Sequence, residues 1–521
     1  MKTLRSHVCG AWHTADGGFV PLVDPSTETE IARVSSHGVD FAAVLDHARR
    51  RGGPALRAMS FAERAGLLKA MSRLLREHRD ELLDLSRLNT GTTAADGAFD
   101  LDGASGTLAW YAGWGRRLGE HAVVADGDGI QLARSEAFWG QHVLAPRHGV
   151  AVQVNAFNFP AWGFAEKAAC SLLAGMPLVS KPATATAMVA ERCAELIVEA
   201  GILPEGAMQL VCGSTGDLLD RLGPSDVLAF TGSAETAAHL RDRDNLRRAN
   251  TRVNVEADSL NAAVLAPGVA GDGATWELFL TDVVREMTQK SGQKCTAVRR
   301  VLVPGDDLGR VREALAARLA EVVTGNPAHD GVTMGPLATA QQLDDAVSGV
   351  AELATAAGIV TGDGRRADGV GAEPGRGFYF PPTLLAAADA RAAAVVHRRE
   401  VFAPVATLLP YDGTAGDAAA VVALSEGTLV TSVYGDDEAW LTRLLADVGG
   451  FTGRLYIGSA GSAAAAPGSG IALPQSLHGG PGRAGGGEEL GGIHGLSLYL
   501  QRVALQGEHG LVDRLAGRLE G

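Results

Sequence analysis

The sequence has few cysteines and no cysteine pair at a spacing that suits a dithiol or a zinc ribbon. Its five cysteines, Cys9, Cys170, Cys193, Cys212 and Cys295, are odd in number and far apart. This pattern excludes a disulfide framework and favours a reducing compartment. We expect no bound metal. Most free cysteines are small buried apolar residues, so any functional one must be recognised from its surroundings.

Positive charge is also scarce, since 46 Lys and Arg residues stand against 60 Asp and Glu residues and the net charge is -14. Such a balance opposes binding to nucleic acids or to anionic membranes. Residues 1–7 do not begin a secretory signal, and the uncharged stretch 455–482 is too rich in Gly, Ser and Pro to cross a bilayer. We therefore expect a soluble, cytoplasmic protein that binds neither nucleic acid nor membrane.

The chain is long enough for several structural units, with 521 residues of which 46% are hydrophobic. Ser60 and Glu63 form a capping-box pattern, and apolar residues then recur at helical spacing through Asn89. One long helix is predicted there.

From about Gly149 short apolar segments alternate with helical patterns, which is typical of a parallel sheet with helical crossovers. Helices are predicted to start near Phe164, Thr186, Thr215 and Ser233. Such a sheet binds ligands beyond the carboxyl ends of its strands, so a nucleotide site is expected there. The predicted strands are 150–154, 177–180, 208–212, 227–230 and 252–255.

A second α/β region follows, with a predicted helix 275–290, strand 299–303 and helix 308–323. Two further segments look like a small separate sheet. Residues 131–134 and 142–145 flank a predicted turn at Trp139-Gly140, and Leu496, Leu498 and Leu500 alternate with polar residues near the C-terminus. Isolated hairpins are marginal in water, so we expect these strands to pair and to meet another subunit.

Six short motifs carry the functional signal. Residues 213–216 alone are only a shortened version of a dinucleotide-binding glycine pattern. The stronger set is 155–160 (NAFNFP), 181–183 (KPA), 230–233 (FTGS), Glu256, 291–296 (SGQKCT) and 400–404 (EVFAP), in that order. With these motifs the chain resembles the aldehyde dehydrogenase superfamily over nearly its whole length.

The resemblance implies an α/β fold with two Rossmann-type domains and a small oligomerisation sheet. On this basis we predict a dinucleotide-binding domain from 1–128 and 149–258, a catalytic domain from 259–478, and a bridging segment from 129–148 and 490–521. We expect a homodimer, with a homotetramer as the alternative.

The resemblance also assigns three catalytic roles. Cys295 matches the nucleophile, and either a positive neighbour such as Lys294 or a helix N-terminus has to favour its thiolate. Glu256, 39 positions earlier, matches the general base that activates water, although the residues that follow it depart from the family pattern Glu-Leu-Gly-Gly. Asn158 matches the side chain that stabilises the oxyanion.

Cofactor contacts are implied in the same way. Lys181 is expected at the adenosine ribose, Ser233 at the pyrophosphate, and Glu400 and Phe402 at the nicotinamide riboside. A neutral Thr184, where NAD-selective relatives often carry glutamate, favours NADP and leaves NAD possible. The full set of predicted cofactor residues is Val154, Phe157, Lys181, Thr184, Gly213, Phe230, Gly232, Ser233, Glu400 and Phe402.

The expected reaction is oxidation of a small-molecule aldehyde to an acid through a thiohemiacetal and a thioester. Segments 155–160, 212–233 and 478–492 most resemble semialdehyde dehydrogenases that degrade aromatic compounds as CoA thioesters, which implies a CoA-linked semialdehyde. Broad aliphatic or aromatic specificity, or the semialdehyde of the phenylacetyl-CoA pathway, are the alternatives. A silent dehydrogenase-like protein or a cysteine hydrolase would explain fewer of the motifs.

Overall fold

The computed structural model describes residues 1–517, so the last four residues of the predicted bridging segment 490–521 lie outside the described residues. Strands and helices alternate through most of the chain. The strands are β1 Lys2–Thr3, β2 Ser6–Val8, β3 Ala11–His13, β4 Val20–Val23, β5 Glu30–Val34, β6 Val124–Gln131, β7 Phe138–Pro146, β8 Ala151–Val154, β9 Leu178–Lys181, β10 Met208–Leu210, β11 Val227–Thr231, β12 Arg252–Glu256, β13 Ala262–Leu265, β14 Arg300–Pro304, β15 Gly358–Thr361, β16 Thr383–Ala386, β17 Val405–Tyr411, β18 Thr428–Tyr434, β19 Thr452–Gly458, β20 Leu477–Gly479, β21 Glu488–Leu490 and β22 Leu500–Glu508.

The helices lie between and around these strands, and several short 3-10 turns supplement them. The α-helices are α1 Phe41–His47, α2 Gly53–Arg57, α3 Phe61–Glu77, α4 Arg79–Thr90, α5 Ala94–Arg117, α6 Trp162–Leu173, α7 Ala187–Glu199, α8 Ala234–Arg241, α9 Asp244–Ala249, α10 Ala274–Thr288, α11 Leu308–Leu319, α12 Ala340–Leu353, α13 Ala415–Ala423, α14 Glu438–Val448, α15 Ile493–Ser497 and α16 His509–Leu515.

The first large sheet has the order β12-β11-β8-β9-β10-β2-β3, and β8 to β12 pair in parallel as expected. The predicted strands and the helices near Phe164, Thr186 and Ser233 are confirmed within a few residues. The prediction of a helix starting near Thr215 was wrong, because only a 3-10 turn forms there, at Leu218–Arg221. Gly216 has a left-handed backbone, which interrupts a helix started at Thr215.

The second large sheet has the order β15-β16-β17-β14-β13-β18-β19. It is parallel except for the edge strand β15. The predicted helix, strand and helix of this region correspond to α10, β14 and α11. The predicted α/β class is thus confirmed, with two seven-stranded sheets side by side in the chain.

A third sheet with the order β22-β7-β6 stands apart from the other two. The hairpin is longer than expected, and its turn was misplaced: Trp139 and Gly140 lie within β7, where Trp139 stacks on His509 at 4.0 Å between ring centroids. The C-terminal strand begins only at Leu500, because Leu496 belongs to α15 and is fully buried against the core. Strand β6 crosses the predicted boundary between residues 128 and 129, and the domain boundaries stay predictions.

The predicted helix from residue 60 to 89 is two helices. The capping box at Ser60 forms as expected, with the Ser60 side chain accepting from the Glu63 N–H and the Glu63 carboxylate accepting from the Ser60 N–H. The break falls at His78, whose backbone leaves the helical region (φ -103, ψ 21). Among residues 1–517, no helix has both the length and the apolar character needed to cross a bilayer.

Candidate active site

Cys295 lies in the irregular segment after α10. Gly292, three residues earlier, has φ +67, and a side chain there would come within 2.4 Å of the Ala403 backbone, so only glycine fits this approach. The Asn261 amide donates to the Cys295 carbonyl at 2.8 Å and fixes the backbone of Cys295. The thiol is partly exposed where two cavities meet.

Glu256 and His478 face this thiol. Glu256 is the last residue of β12, beside Thr231 at the end of β11. His478 comes from β20, with Nε2 3.8 Å from Sγ of Cys295 and 3.3 Å from Oε1 of Glu256. Oε1 makes no hydrogen bond of good geometry within residues 1–517, so its contact with His478 is that of an ion pair.

The three side chains perturb one another's ionisation. Burial alone would raise the pKa of Glu256, but the charge of His478 outweighs it and lowers that pKa to about 2. Burial lowers the pKa of His478, yet the Glu256 carboxylate more than reverses this and the pKa is raised. Burial and the Glu256 charge together raise the pKa of Cys295 well above its usual range. The pairing of Glu256 with His478 thus favours the charged form of each, and the thiol favours its neutral form.

A second ionic cluster lies behind Glu256. Lys167 in α6 contacts Glu166 at 3.1 Å and Glu489 at 3.3 Å, and Asn254 donates to Glu489 at 3.2 Å. Burial would lower the pKa of Lys167, but the two carboxylates raise it, so the lysine stays charged. Burial raises the pKa of Glu166 to about 7.

Sequence reasoning did not assign roles to His478, Lys167 or Glu489. The only signal for two of them was their position in the glycine-rich run 478–492, and Lys167 looks like any helix residue. Lys294, by contrast, was considered as a positive neighbour of the thiol. Its Nζ contacts Glu286 and donates to Gln289 at 2.8 Å rather than touching the thiol. The Lys294 charge still acts to lower the pKa of Cys295, but burial and the Glu256 charge outweigh it.

Asn158 is buried and lies in both cavity walls with Cys295. Its Nδ2 donates one hydrogen bond to the Gln293 carbonyl at 3.0 Å. Gln293 is held in turn, because its Oε1 accepts from the Ala338 N–H at 2.9 Å. The side chain of Asn158 therefore has a fixed orientation beside the thiol.

The cavity on the His478 side is small, with a volume of about 50 Å³. Its outer wall is aromatic: the Phe99 ring packs edge-on against Phe159 at 5.9 Å and against Trp162 at 5.4 Å between centroids. The cavity is also lined by the charged or ionisable residues Glu166, Lys167, Glu256 and His478. An apolar chain with one polar end fits this division.

The cleft on the other side has a volume of about 590 Å³ and contains the predicted residues Phe157, Gly232, Ser233, Glu400 and Phe402. Ser233 caps α8, since its Oγ accepts from the Thr236 N–H at 3.2 Å. A side chain on Gly232 would meet the Phe230 ring at 2.5 Å. Phe157 and Phe402 pack edge-on with centroids 5.8 Å apart.

Glu400 is anchored at the floor of this cleft. Its Oε2 accepts from the Ser259 N–H at 3.1 Å, and its Oε1 lies 3.4 Å from Nε of Arg299. Burial raises the pKa of Glu400 to about 7 although Arg299 acts in the opposite direction.

The other predicted cofactor residues adjoin the cleft without contributing to its wall. Phe230, Val154 and Lys181 are register partners on β11, β8 and β9. Lys181 Nζ donates to Thr184 at 3.4 Å, and Thr184 donates to the Gly213 carbonyl at 3.2 Å. These residues extend the edge of the sheet away from Cys295.

The cleft fits a dinucleotide on two grounds. It lies at the carboxyl ends of parallel strands with the start of α8 facing it, as such ligands require. Thr231 has a buried hydroxyl in its wall that makes no hydrogen bond within the described chain, which leaves a polar group for a ligand.

The three residues after Glu256, which depart from the family pattern, each make a hydrogen bond within the fold. Ala257 donates its N–H to the Ala484 carbonyl at 3.0 Å. Asp258 accepts from the Ala234 N–H at 2.9 Å, at the first turn of α8, and Ser259 holds Glu400. The departure from the family pattern thus leaves Glu256 in place at the strand end.

Comparison with known proteins gives the class. A sequence model of the aldehyde dehydrogenase family matches residues 12–503, so the chain belongs to this family. It is therefore an oxidoreductase that acts on an aldehyde and uses a nicotinamide cofactor, as the cleft beside the thiol suggests.

Individual relatives refine this. The chain is 43% identical over 478 residues to the 3,4-dehydroadipyl-CoA semialdehyde dehydrogenase of Aromatoleum evansii, covering 92% of this chain and 93% of the relative. An NADP(+) succinate-semialdehyde dehydrogenase of Escherichia coli is 28% identical, covering 80% and 82%. A Staphylococcus aureus betaine aldehyde dehydrogenase with NAD+ has the same fold, with a TM-score of 0.83 at 23% identity over 98% of each chain.

Proposed function

We propose that the protein oxidises an aldehyde to a carboxylic acid with NADP, through a thiohemiacetal and then a thioester on Cys295. The observation that carries this proposal is the place of the thiol, between an aromatic cavity and a polar cleft suited to a dinucleotide. An aldehyde bound in the first cavity reaches the sulfur from one side. A bound nicotinamide supplies the hydride acceptor from the other.

The first half-reaction needs the thiol proton to leave as the carbon–sulfur bond forms. Nε2 of His478, 3.8 Å from Sγ, accepts this proton when the imidazole is neutral. The aldehyde oxygen becomes negative at the same time. Asn158 uses one amide hydrogen on Gln293, and its second amide hydrogen together with the Cys295 N–H stabilises the oxyanion.

The second half-reaction hydrolyses the thioester. Glu256 has a buried carboxylate oxygen without a hydrogen bond, which is the acceptor that an attacking water requires. His478 acts as a positioning residue here, because it keeps Glu256 ionised and oriented until the acyl group is formed.

The proposed preference for NADP rests on Lys181 and Thr184, which adjoin the cleft away from Cys295. Thr184 brings no negative charge next to Lys181, so a 2′-phosphate meets no repulsion there. Burial lowers the pKa of Lys181, and an anionic ligand would stabilise its charged form. Both NAD- and NADP-bound relatives share the fold, so the preference is one of degree.

For the substrate we propose 3,4-dehydroadipyl-CoA semialdehyde, by similarity to the Aromatoleum evansii enzyme. The aromatic wall of the cavity on the His478 side suits the unsaturated six-carbon acyl part of this substrate. A broad specificity for aliphatic aldehydes is the alternative that the same apolar wall favours. A homodimeric, cytoplasmic enzyme stays our prediction.

Rapid mixing with NADP and a medium-chain aldehyde tests the mechanism. Replacing Cys295 by Ser should reduce hydride transfer by a factor on the order of 10⁴ or more. Glu256→Gln should keep a burst of one reduced nicotinamide per site and lose steady turnover, because only deacylation needs the base. Cys9→Ser is the matched control with normal rates. Absence of the burst in Glu256→Gln would contradict the assignment of this residue to deacylation.

A further inference from the structure

The Cys295–His478–Glu256 cluster presents three ligand types of a transition-metal site. A thiol, an imidazole nitrogen and a carboxylate oxygen lie with all three ligand atoms within 4.8 Å of one another. Cys, His and Glu are the residues that bind zinc, and three protein ligands plus one open position is the arrangement of reactive zinc sites.

The spacing of these atoms agrees with tetrahedral coordination. Zinc binds sulfur at about 2.3 Å and nitrogen or carboxylate oxygen at about 2.0–2.1 Å. A tetrahedral angle then places S and N about 3.6 Å apart and N and O about 3.3 Å apart. The distances here are 3.8 Å from Sγ to Nε2 and 3.3 Å from Nε2 to Oε1. The third pair, Sγ of Cys295 and the Glu256 carboxylate, lies within 4.8 Å, so rotation of the Cys295 or Glu256 side chain would complete the site.

The ligand atoms are also available. Glu256 is only 3% exposed. Its Oε1 is buried and makes no hydrogen bond of good geometry within residues 1–517. The cavity wall that contains all three residues leaves space on one side for a water molecule as the fourth ligand. Within the described chain, the only ion-pair partner of this buried oxygen is the His478 imidazole at 3.3 Å, and a cation bound between the two would replace the charge of the imidazolium.

We propose that Cys295, His478 and Glu256 form an inhibitory site for Zn²⁺ in the resting enzyme. The cation displaces the proton of the thiol and the proton of the imidazolium into the buffer and binds the thiolate, Nε2 and the carboxylate. The reaction is reversible and changes no oxidation state. Zinc and aldehyde exclude each other, because both occupy the same sulfur.

Four expected properties distinguish this site from nonspecific reaction of zinc with exposed thiols. Inhibition should be competitive with the aldehyde, it should be reversed by a chelator, and it should require His478. A formed thiohemiacetal or thioester should resist zinc, since the sulfur is then occupied. The proposal rests on the proposed role of Cys295, but the cobalt spectra and the thiol protection described below do not depend on turnover.

Cobalt(II) titration of the Cys9→Ser protein tests the site spectroscopically, because Cys9 is the exposed thiol and is thereby removed. A near-ultraviolet thiolate-to-cobalt band with visible bands of tetrahedral intensity is expected, and Zn²⁺ should abolish them by displacement. In Cys295→Ser the thiolate band should vanish. In His478→Gln cobalt affinity should fall about 100-fold or more, since even an outer partner of a metal ligand contributes about 10- to 100-fold.

His494→Gln is the matched control, because His494 lies in the same C-terminal region on the exposed surface, outside the site. It should bind cobalt as the parent does. A band of undiminished affinity in His478→Gln, or a band that persists in Cys295→Ser, would overturn the proposal.

Protection of the thiol provides a measurement on unsubstituted protein. Zn²⁺ should slow alkylation of Cys295 by iodoacetamide, followed by peptide mass spectrometry, and a chelator should restore the rate. Unchanged alkylation with zinc present would refute the site even if activity falls. If the enzyme without metal shows no hydride transfer while zinc still protects the thiol, the proposed function fails and the zinc site stands.

Discussion

The two cavities that meet at Cys295 differ in what lines them. The cavity on the His478 side is lined by aromatic rings and by charged side chains. The cleft on the other side of the thiol is larger and is lined by strand ends, the start of α8 and Glu400. This difference suits the two cavities to different roles in the proposed reaction. Under the proposed mechanism the proton acceptor His478 lines only the smaller cavity, where burial strengthens each charge interaction, whereas Cys295 and Glu256 line both cavities.

Asn158 contributes to both cavities, so replacing it should have the largest effect on this comparison. Asn158→Ala should reduce the rate of hydride formation about 100- to 1000-fold, because one oxyanion donor is lost. Stopped-flow absorbance of reduced nicotinamide measures this. Cofactor affinity, followed by fluorescence quenching, should be unchanged, and a parallel loss of affinity would show that the two cavities are not separable.

Thr184 tests the cofactor side alone. Thr184→Glu places a carboxylate beside Lys181 and should reduce kcat/KM for NADP relative to NAD by about tenfold, equal to about 1.4 kcal/mol of repulsion. Thr184→Ser is the neutral control and should keep the parent ratio. Steady-state kinetics with both cofactors gives the answer. An unchanged ratio in Thr184→Glu would place the 2′-phosphate elsewhere.

His478 tests the aldehyde side alone, through pH. The pKa of Glu256 is lowered to about 2 mainly by the charge of His478, so the carboxylate stays ionised across the assay range. In His478→Gln burial dominates and that pKa rises, so Glu256 becomes protonated as the pH falls. Turnover at pH 5 relative to pH 8 should therefore drop several-fold more in the variant than in the parent. His494→Gln should follow the parent profile.

The first parallel sheet was predictable from the sequence because its strands are short, continuous apolar runs between turns. The same rule failed where a pattern had two readings. The leucines around 496–500 alternate like a strand, yet Leu496 is buried in a helix, because tertiary packing overrides a period of two. At His78 the apolar spacing continues through the break, although α3 packs mainly on α5 whereas α4 packs on both α5 and α7.

The catalytic candidates were recognisable only as members of motifs. Cys295 and Glu256 lie 39 residues apart, and their nearness depends on the fold rather than on their spacing. His478 is a single histidine in a glycine-rich run and has no pattern that indicates its partners. Lys294 shows the converse, since adjacency in sequence suggested a contact with the thiol that its rotamer directs to Glu286.

The glycine-rich run is built directly onto the strand that ends in Glu256. Gly487 donates its N–H to the Val255 carbonyl at 3.1 Å, and side chains on Gly485 or Gly487 would meet that oxygen at 2.2 and 2.4 Å. The backbone next to Glu256 is therefore held in place by a loop more than 200 positions away in the chain. Natural variation in this enzyme should accordingly avoid insertions in both segments, and changes of substrate range should arise in the aromatic wall instead.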